Sequence, residues 1–209
     1  MQPRIGIAIV IAMLLGGCAQ QQAMDYAREL VSTKADLTLP DADGLTPVQA
    51  AIAGGYDEAV VYLLYNGAEV NALGLNGLTP LHAAAVFDRP SIGAMLLKRG
   101  AKVSLTSNSQ GFTPLHVAAR GGKLDMVKLL IEARGNVNAT GKRVDTPLTL
   151  AASQGHFAVV DYLLSHGAAV NPPVEMPYDS PLDAAIRNKH DRVATLLRAN
   201  GAKTVSTEE

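Results

Sequence analysis

The strongest constraint on this chain is a short pattern that recurs at an almost constant interval. Five times a hydroxyl-bearing residue is followed directly by proline, and successive pairs are separated by 33, 34, 33 and 34 positions. The pairs are Thr46-Pro47, Thr79-Pro80, Thr113-Pro114, Thr146-Pro147 and Ser180-Pro181. A nearly constant period of this length indicates a small structural unit that is stacked several times along the chain.

Each pair predicts the start of an α-helix, because Thr and Ser are good N-cap residues and proline has its φ angle preset for the next position. An alanine-rich segment follows, as at residues 81–85, and then a second apolar segment that ends near a glycine. We expect left-handed helix-terminating residues at Gly67, Gly100, Gly167 and Gly201. Repeat three has Arg134 at this position. Only 4% of the residues are aromatic and none is Trp, which suits thin helix pairs built from Ala and Leu.

Two units read Thr-Pro-Leu-His, at residues 79–82 and 113–116. With the period of 33, this motif resembles the ankyrin repeat, a turn followed by two antiparallel helices. The resemblance implies an all-α ankyrin-repeat solenoid of helix-turn-helix pairs joined by hairpin-like loops. We expect this domain at residues 24–205, with a short tail at 206–209. It would comprise an N-terminal capping helix in a half-repeat at 24–40 and five repeats at about 41–73, 74–107, 108–140, 141–174 and 175–205.

Three repeats depart from the motif at its histidine. Gln49, Thr149 and Asp183 stand where repeats two and three have His82 and His116. The resemblance implies that the imidazole braces neighbouring turns. We therefore expect the three departures to reduce stability while still making local polar contacts.

The N-terminal segment has the features of a secretory signal peptide. Arg4 precedes an apolar run from Ile5 to Leu15, which is shorter than the roughly 20 residues that a membrane-spanning helix needs. The junction Leu15-Gly16-Gly17-Cys18 resembles the bacterial lipoprotein signal, in which cleavage falls just before a lipid-modified cysteine. The alternative is a soluble secreted protein with a chance cysteine.

The lipoprotein resemblance implies that residues 1–17 are removed and that Cys18 carries acyl chains such as palmitate, followed by a short lipidated tether at 18–23. Cys18 is the single cysteine, so an internal disulfide is excluded. The residue after it is Ala19 rather than the Asp that tends to retain such proteins in the inner membrane. We therefore expect a protein of the bacterial cell envelope, anchored in the outer membrane and facing the periplasm.

The sequence contains no recognisable catalytic or metal-binding motif. Its five histidines are scattered, and it has neither a His-x-x-x-His pair nor a phosphate-binding glycine loop. A net charge of −1 gives no indication of nucleic-acid binding, which relies on surplus Lys and Arg. We predict no enzymatic activity, no cofactor and no metal site.

A protein-binding surface is the better prediction. In ankyrin proteins, the loop tips and the exposed side of each first helix form the usual contact surface. Mapped by position, this surface carries Leu73, Leu75, Asn76, Leu78, Val86, Phe87, Phe112, Arg120, Lys142, Arg143, Asp145, Tyr178 and Arg187. Alternatively, Leu73, Leu78 and Phe87 pack between loops, and the basic residues form an ordinary solvated face.

These observations favour a monomeric, membrane-anchored envelope lipoprotein that acts as a protein–protein interaction module with an unidentified envelope partner. One version is an immunity protein that neutralises a toxic secreted effector in the periplasm, and another is a scaffold for an envelope enzyme. A structural envelope protein that contacts lipid or cell wall is the alternative from a different class.

Overall fold

The computed structural model describes residues 19–107, 110–143, 145–173 and 180–204, and for Asn76 only the backbone. Within these ranges the chain forms eleven α-helices and a short 3₁₀ turn at Leu75–Gly77, with no β-strand. The α-helices are α1 Ala19–Ser32, α2 Pro47–Gly54, α3 Asp57–Tyr65, α4 Pro80–Val86, α5 Pro90–Lys98, α6 Pro114–Arg120, α7 Leu124–Glu132, α8 Pro147–Ser153, α9 Phe157–Ser165, α10 Pro181–Arg187 and α11 Asp191–Ala199. In the part of the chain so described, no helix is both long and apolar enough to span a bilayer.

The chain divides into two compact units, Met1–Lys102 and Val103–Glu209. In the first unit, α2 pairs with α3 and α4 with α5, while α2 packs against α4 and α1 against α3. The second unit contains the pairs α6–α7, α8–α9 and α10–α11. Its first helices pack in the order α6, α8, α10, and its second helices in the order α7, α9, α11. The predicted all-α helix pairs are confirmed.

The core has the expected division between small and large side chains. The first helices bury alanines completely, for example Ala84, Ala119 and Ala152, which lets neighbouring helices approach closely. The second helices each bury leucine, at Leu63, Leu96, Leu130, Leu163 and Leu197. Each buried leucine contributes about 2 kcal/mol to folding, so stability grows with every repeat that is added to the stack.

The hydroxyl-Pro pairs begin the first helices as predicted. All five hydroxyl residues are N-caps and proline occupies the start of the helix that follows. In the last repeat, for example, the Asp183 N–H donates to the Ser180 Oγ over 3.1 Å. Such a cap is worth about 1 kcal/mol.

The second helices end in left-handed residues, as the glycine positions predict. Gly67, Gly100, Gly167 and Gly201 have φ angles between 82° and 96°. Arg134 adopts the same conformation with φ 64°. Because a left-handed backbone brings Cβ close to the carbonyl oxygen, a non-glycine residue there costs about 1–2 kcal/mol.

The capping helix starts earlier than the sequence boundary suggested. The segment assigned to a tether at 18–23 is helical from Ala19 onward in the structure, because α1 covers Ala19–Ser32. Ala and Gln, which fill residues 19–23, are good helix formers, so they extend the helix toward the N-terminus. The buried side of α1 is formed by Ala27 and Leu30.

Candidate functional site

Side chains from one repeat reach the backbone of the next and fix the loops that carry the candidate surfaces. His116 is completely buried. Its Nδ1 accepts the Thr113 N–H over 3.1 Å, and its Nε2–H donates to the Asp145 carbonyl oxygen, also over 3.1 Å. The bracing role that the resemblance implies for the motif histidine is thus present at His116.

Gln49 replaces the histidine in the first repeat and keeps both of its bonds. Its Oε1 accepts the Thr46 N–H over 2.8 Å, and its amide Nε2 donates to the Leu78 carbonyl oxygen. The side chain is completely buried. An amide therefore braces the loop before α4 in the way that an imidazole braces the loop before α8.

The histidines between paired helices have a similar structural role. His156 Nε2 lies 3.0 Å from the Arg120 carbonyl oxygen, and His190 Nε2 lies 3.1 Å from that of Ser153. Each bond joins the turn of one repeat to the repeat before it. Among the described residues, no group of three or more His, Cys, Asp or Glu side chains is placed to hold a metal ion.

In the described part of each unit, a backbone hydrogen bond joins two neighbouring loop tips. The Leu75 N–H donates to the Gly44 carbonyl oxygen over 2.7 Å, and the Lys142 N–H donates to that of Gln110 over 2.8 Å. Leu75 and Lys142 stand four residues before the capping threonine of their repeats. The same backbone contact therefore positions an apolar side chain in the first unit and a basic one in the second.

The first unit carries an exposed apolar surface, which we define as Leu73, Leu75, Leu78, Val86 and Phe87. Leu73 is 52% exposed, Leu75 58%, Val86 46% and Phe87 43%, whereas Leu78 is half-buried. The alternative in which these side chains pack between loops therefore does not hold for Leu73 or Phe87. Since α4 has seven residues, only about 10 Å of helix separates the loop from Val86.

The second unit carries a basic surface, which we define as Arg120, Lys142, Arg143 and the half-buried Asp145. The three basic side chains are exposed. Burial raises the pKa of the Asp145 carboxyl above its ordinary value, and the charges of Arg143 and Arg120 oppose that rise. The two guanidinium groups therefore lie close enough to Asp145 to influence its ionisation.

Phe112 does not belong to an exposed surface, which corrects the sequence expectation. Its ring is only 6% exposed and stacks on the imidazole of His116, with 5.1 Å between ring centroids and 6° between planes. A Cβ added to Gly141 would lie 2.7 Å from the Phe112 ring, so the next loop covers this side chain closely. Phe112 supports the brace and is not available to a partner.

The remaining expected site residues have separate positions. Arg187 is the last residue of α10 and is exposed. Asn76 lies in the 3₁₀ turn, of which its backbone alone is described. Tyr178 and Cys18 lie outside the described residues.

Among the described residues, four large exposed apolar side chains lie outside the mapped set: Val61 and Tyr65 on the second helix α3, and Leu39 and Ile186. Leu39 and Ile186 are both largely exposed, in the loop after α1 and near the end of α10. Ile186 lies six positions after Ser180 and therefore aligns with Ala85, which is completely buried in repeat two, so transfer by position could not have found it. The same holds for Leu39, which aligns with the buried Ala72 when Lys34 is placed at the position of Gly67.

Comparison with known proteins identifies the family. A family model for ankyrin repeats, which spans three copies, matches residues 15–107, 70–141, 104–174 and 135–208. The chain is an ankyrin-repeat protein. Its all-α repeat solenoid follows from this membership, and ankyrin repeats are typical of protein-interaction modules, whereas the lack of enzymatic activity stays a prediction.

Several curated proteins resemble this ankyrin-repeat protein over most of its length. The ankyrin repeat and KH domain-containing protein mask-1 of Caenorhabditis elegans is 34% identical over 153 residues, which is 71% of this chain and 6% of that protein. The putative ankyrin repeat protein FPV031 of Fowlpox virus is 32% identical over 161 residues, or 73% of this chain and 47% of that protein. The nuclear factor NF-kappa-B p105 subunit of Gallus gallus is 32% identical over 160 residues, which is 75% of this chain and 16% of that protein. The chain thus matches less than half of each relative's own length.

Proposed function

We propose that this ankyrin-repeat protein is a membrane-anchored envelope lipoprotein that binds a protein partner through its apolar surface. The observation that carries the proposal is the exposure of Leu73, Leu75, Val86 and Phe87 on one loop and one short helix. Soluble proteins rarely leave such apolar side chains grouped in solvent unless another molecule covers them. The loop is braced by Gln49, so its side chains are already positioned before a partner arrives.

The basic surface supplies a second contact of different chemistry. Exposed Arg120, Lys142 and Arg143 attract acidic groups, and exposed charges affect the rate of association and the choice of partner more than the final affinity. Arginine is also enriched among the residues that dominate binding energy. We assign the main affinity to the apolar surface and electrostatic selection to the basic surface.

The anchor is proposed from the sequence around Cys18. The run from Ile5 to Leu15 and the junction Leu15-Gly16-Gly17-Cys18 support cleavage and lipidation at this cysteine. Each buried methylene contributes about 0.8 kcal/mol, so the three acyl chains of such an anchor hold a protein firmly. Because α1 belongs to the first unit and begins at Ala19, the residue that directly follows Cys18, no long stalk separates the proposed anchor from the folded repeats.

Partner capture tests the binding proposal. The full chain and its Leu73→Ser/Leu75→Ser/Phe87→Ser variant are compared as baits at equal concentration. Tyr65→Ser is the control, since Tyr65 is 82% exposed but lies on the second helix α3. We expect the triple variant to retain at most about a tenth of the partner, because central apolar contacts commonly contribute 2 kcal/mol or more. Equal capture by the triple variant and the unchanged protein would contradict the proposal.

The anchor has its own test. Cys18→Ser removes the only thiol of the chain, so we expect the variant to stay unprocessed or to leave the membrane fraction. Metabolic labelling with an alkyne fatty acid should mark the unchanged protein and not the variant. Normal membrane retention and labelling of Cys18→Ser would sink the lipoprotein proposal while leaving the binding surface untouched.

The immunity version of the proposal makes a distinct prediction. Deleting the gene should then cause intoxication by the cell's own effector, and the protein should restore viability only with its apolar surface intact. A scaffold or a structural envelope protein would give no such intoxication.

A further inference from the structure

The first unit contains a cavity that the proposed function does not use. It has a volume of about 300 Å³ and lies between α1, the segment that follows it, and the start of α2. Its apolar walls include Leu30, Leu39, Leu45 and Pro47. This volume is at the lower end of the range for small-molecule sites and would hold about ten water-sized groups.

The cavity has a simple origin in the repeat architecture. Elsewhere in each unit, a first helix packs against the first helix of the next repeat, as α2 does with α4. Residues 19–40 supply only the second-type helix α1, which packs against α3. The flank of α2 formed by Pro47 and Ala50 therefore faces the cavity instead of another helix.

Three polar side chains line this apolar cavity: Tyr26, Asp41 and Asp36, whose Oδ1 already accepts hydrogen bonds from Thr38. The Tyr26 hydroxyl is buried and has no hydrogen-bond partner among the described residues. Burial and the nearby charges of Asp41 and Glu29 raise the pKa of Tyr26 to about 12, so the phenol is neutral at physiological pH. A bound polar atom would supply the partner that this buried hydroxyl lacks.

Asp41 presents a fixed carboxylate to the same cavity. Its Oδ1 accepts the N–H groups of Asp43 and Leu45 over 2.9 and 3.0 Å, which holds the side chain in place. Its Oδ2 accepts no hydrogen bond within the described part of the chain. A carboxylate beside a neutral phenol matches a ligand that donates several hydrogen bonds and carries positive charge.

The surrounding charge favours the same ligand. Residues 19–45 contain five acidic side chains and two basic ones, and the basic Arg28 is paired with Asp25 over 3.2 Å. Such an excess of negative charge raises the local concentration of cations.

We propose that this cavity binds a primary ammonium group carried on a short apolar chain. The ammonium lies between the Asp41 carboxylate and the Tyr26 hydroxyl, and the chain lies along Leu30, Leu39 and Leu45. Two sources share this chemistry: a free small alkylamine and the lysine side chain of a peptide.

Titration of the full chain tests the site. The probe is n-hexylammonium, with hexanol and hexanoate as neutral and anionic analogues of similar size, and binding is followed by calorimetry. We expect saturable binding of the amine, weaker binding of hexanol and none of hexanoate. Equal affinity for amine and alcohol, or no saturable binding of the amine, would overturn the proposal.

Paired variants locate the site. Asp41→Asn keeps an acceptor for the Asp43 and Leu45 N–H groups, so the turn is retained, and the affinity for n-hexylammonium should fall about tenfold or more. Asp43→Asn makes the same charge change on an exposed residue outside the cavity lining and should alter affinity less than about twofold. Tyr26→Phe removes the unpartnered hydroxyl and should weaken binding several-fold. Unchanged affinity in both Asp41→Asn and Tyr26→Phe, with melting curves that show folded protein, would refute the assignment.

A second titration separates the two sources. A lysine capped by acetylation of its α-amino group and amidation of its carboxyl group, which keeps the side-chain ammonium, is added to the complex with n-hexylammonium. Displacement at comparable or lower concentration assigns the site to a lysine side chain, and binding of the amine without displacement assigns it to a small molecule.

Discussion

Gln49 shows how one residue can keep a structural role while changing its chemistry. Sequence comparison with His82 and His116 predicted a weaker first repeat, because the amide breaks the Thr-Pro-Leu-His pattern. The structure shows that Gln49 accepts from Thr46 and donates to Leu78, so the brace is intact. The sequence motif compares residue types, whereas the fold needs only a side chain at this position with one hydrogen-bond acceptor and one donor at the right separation.

Truncation of Gln49 measures the brace. Gln49→Ala should lower the free energy of unfolding by about 2 kcal/mol, because it leaves the buried Thr46 N–H without a partner and removes one of the two hydrogen bonds that the Leu78 carbonyl accepts. Gln49→His should be close to neutral, since His116 makes the same two bonds. Gln154→Ala is the control at an exposed glutamine and should change stability by less than about 0.5 kcal/mol. Equal effects of Gln49→Ala and Gln154→Ala in urea unfolding would contradict this account.

Phe112 is the residue at which sequence reasoning went furthest wrong. Position along the repeat placed it on an exposed surface, but its ring is held between His116 and the loop at Gly141. The contact depends on a glycine almost one repeat away, and so no local pattern reveals it. The exposed Leu75, by contrast, could be predicted because a loop tip is exposed in every repeat.

The raised pKa of Asp145 predicts a pH-dependent stability. Because its folded pKa lies above the unfolded value near 3.9, ionisation costs more in the folded state, and the contribution of Asp145 to stability falls as the pH rises through this range. Asp145→Asn should therefore raise the melting temperature at pH 7 and give no gain at about pH 2.5. Asp161→Asn, at an exposed position on α9, is the matched control. A gain that is equal at both pH values would argue against the burial of Asp145 as its cause.

At the scale of the helix, the starts of the first helices and the ends of the second helices were predictable, whereas the start of α1 was not. A Thr or Ser N-cap marks the start of every first helix, and a terminal glycine marks the end of four of the five second helices that follow, through backbone chemistry that is visible in the sequence. The start of α1 was not visible, because the Gln-rich residues 19–23 carry no cap and no apolar period. Arg134 shows that a helix can end in the left-handed conformation without glycine, at a local cost in free energy.

Two substitutions measure that cost in opposite directions. Arg134→Gly should stabilise the second unit by about 0.5–1 kcal/mol, and Gly167→Ala should destabilise it by about 1 kcal/mol. A Cβ added at Gly167 meets nothing within 4 Å, so its effect reports the backbone conformation and not a clash. Thermal unfolding checks both values. Destabilisation by Arg134→Gly beyond about 0.5 kcal/mol would show that the arginine side chain contributes more than its conformation costs.

At the scale of the molecule, the repeat period made the fold predictable, but it predicted the exposed surfaces only in part. Five spaced hydroxyl-Pro pairs imply stacked helix pairs, because one pair cannot bury its apolar face alone. The cavity beside Tyr26 was not predictable, since it arises where the half-repeat lacks a first helix and depends on how neighbouring side chains fill that space. Each unit carries its own candidate surface, apolar in the first and basic in the second.

Site-specific photo-cross-linking in living cells tests the central claim most directly. A photoreactive phenylalanine is placed at Leu75 on the apolar surface or at Tyr65 on α3, both of which are well exposed. The proposed binding mode predicts a discrete protein adduct from Leu75, lost when Leu73 and Phe87 are replaced by Ser, and none from Tyr65. An adduct from Tyr65 with none from Leu75 would contradict it.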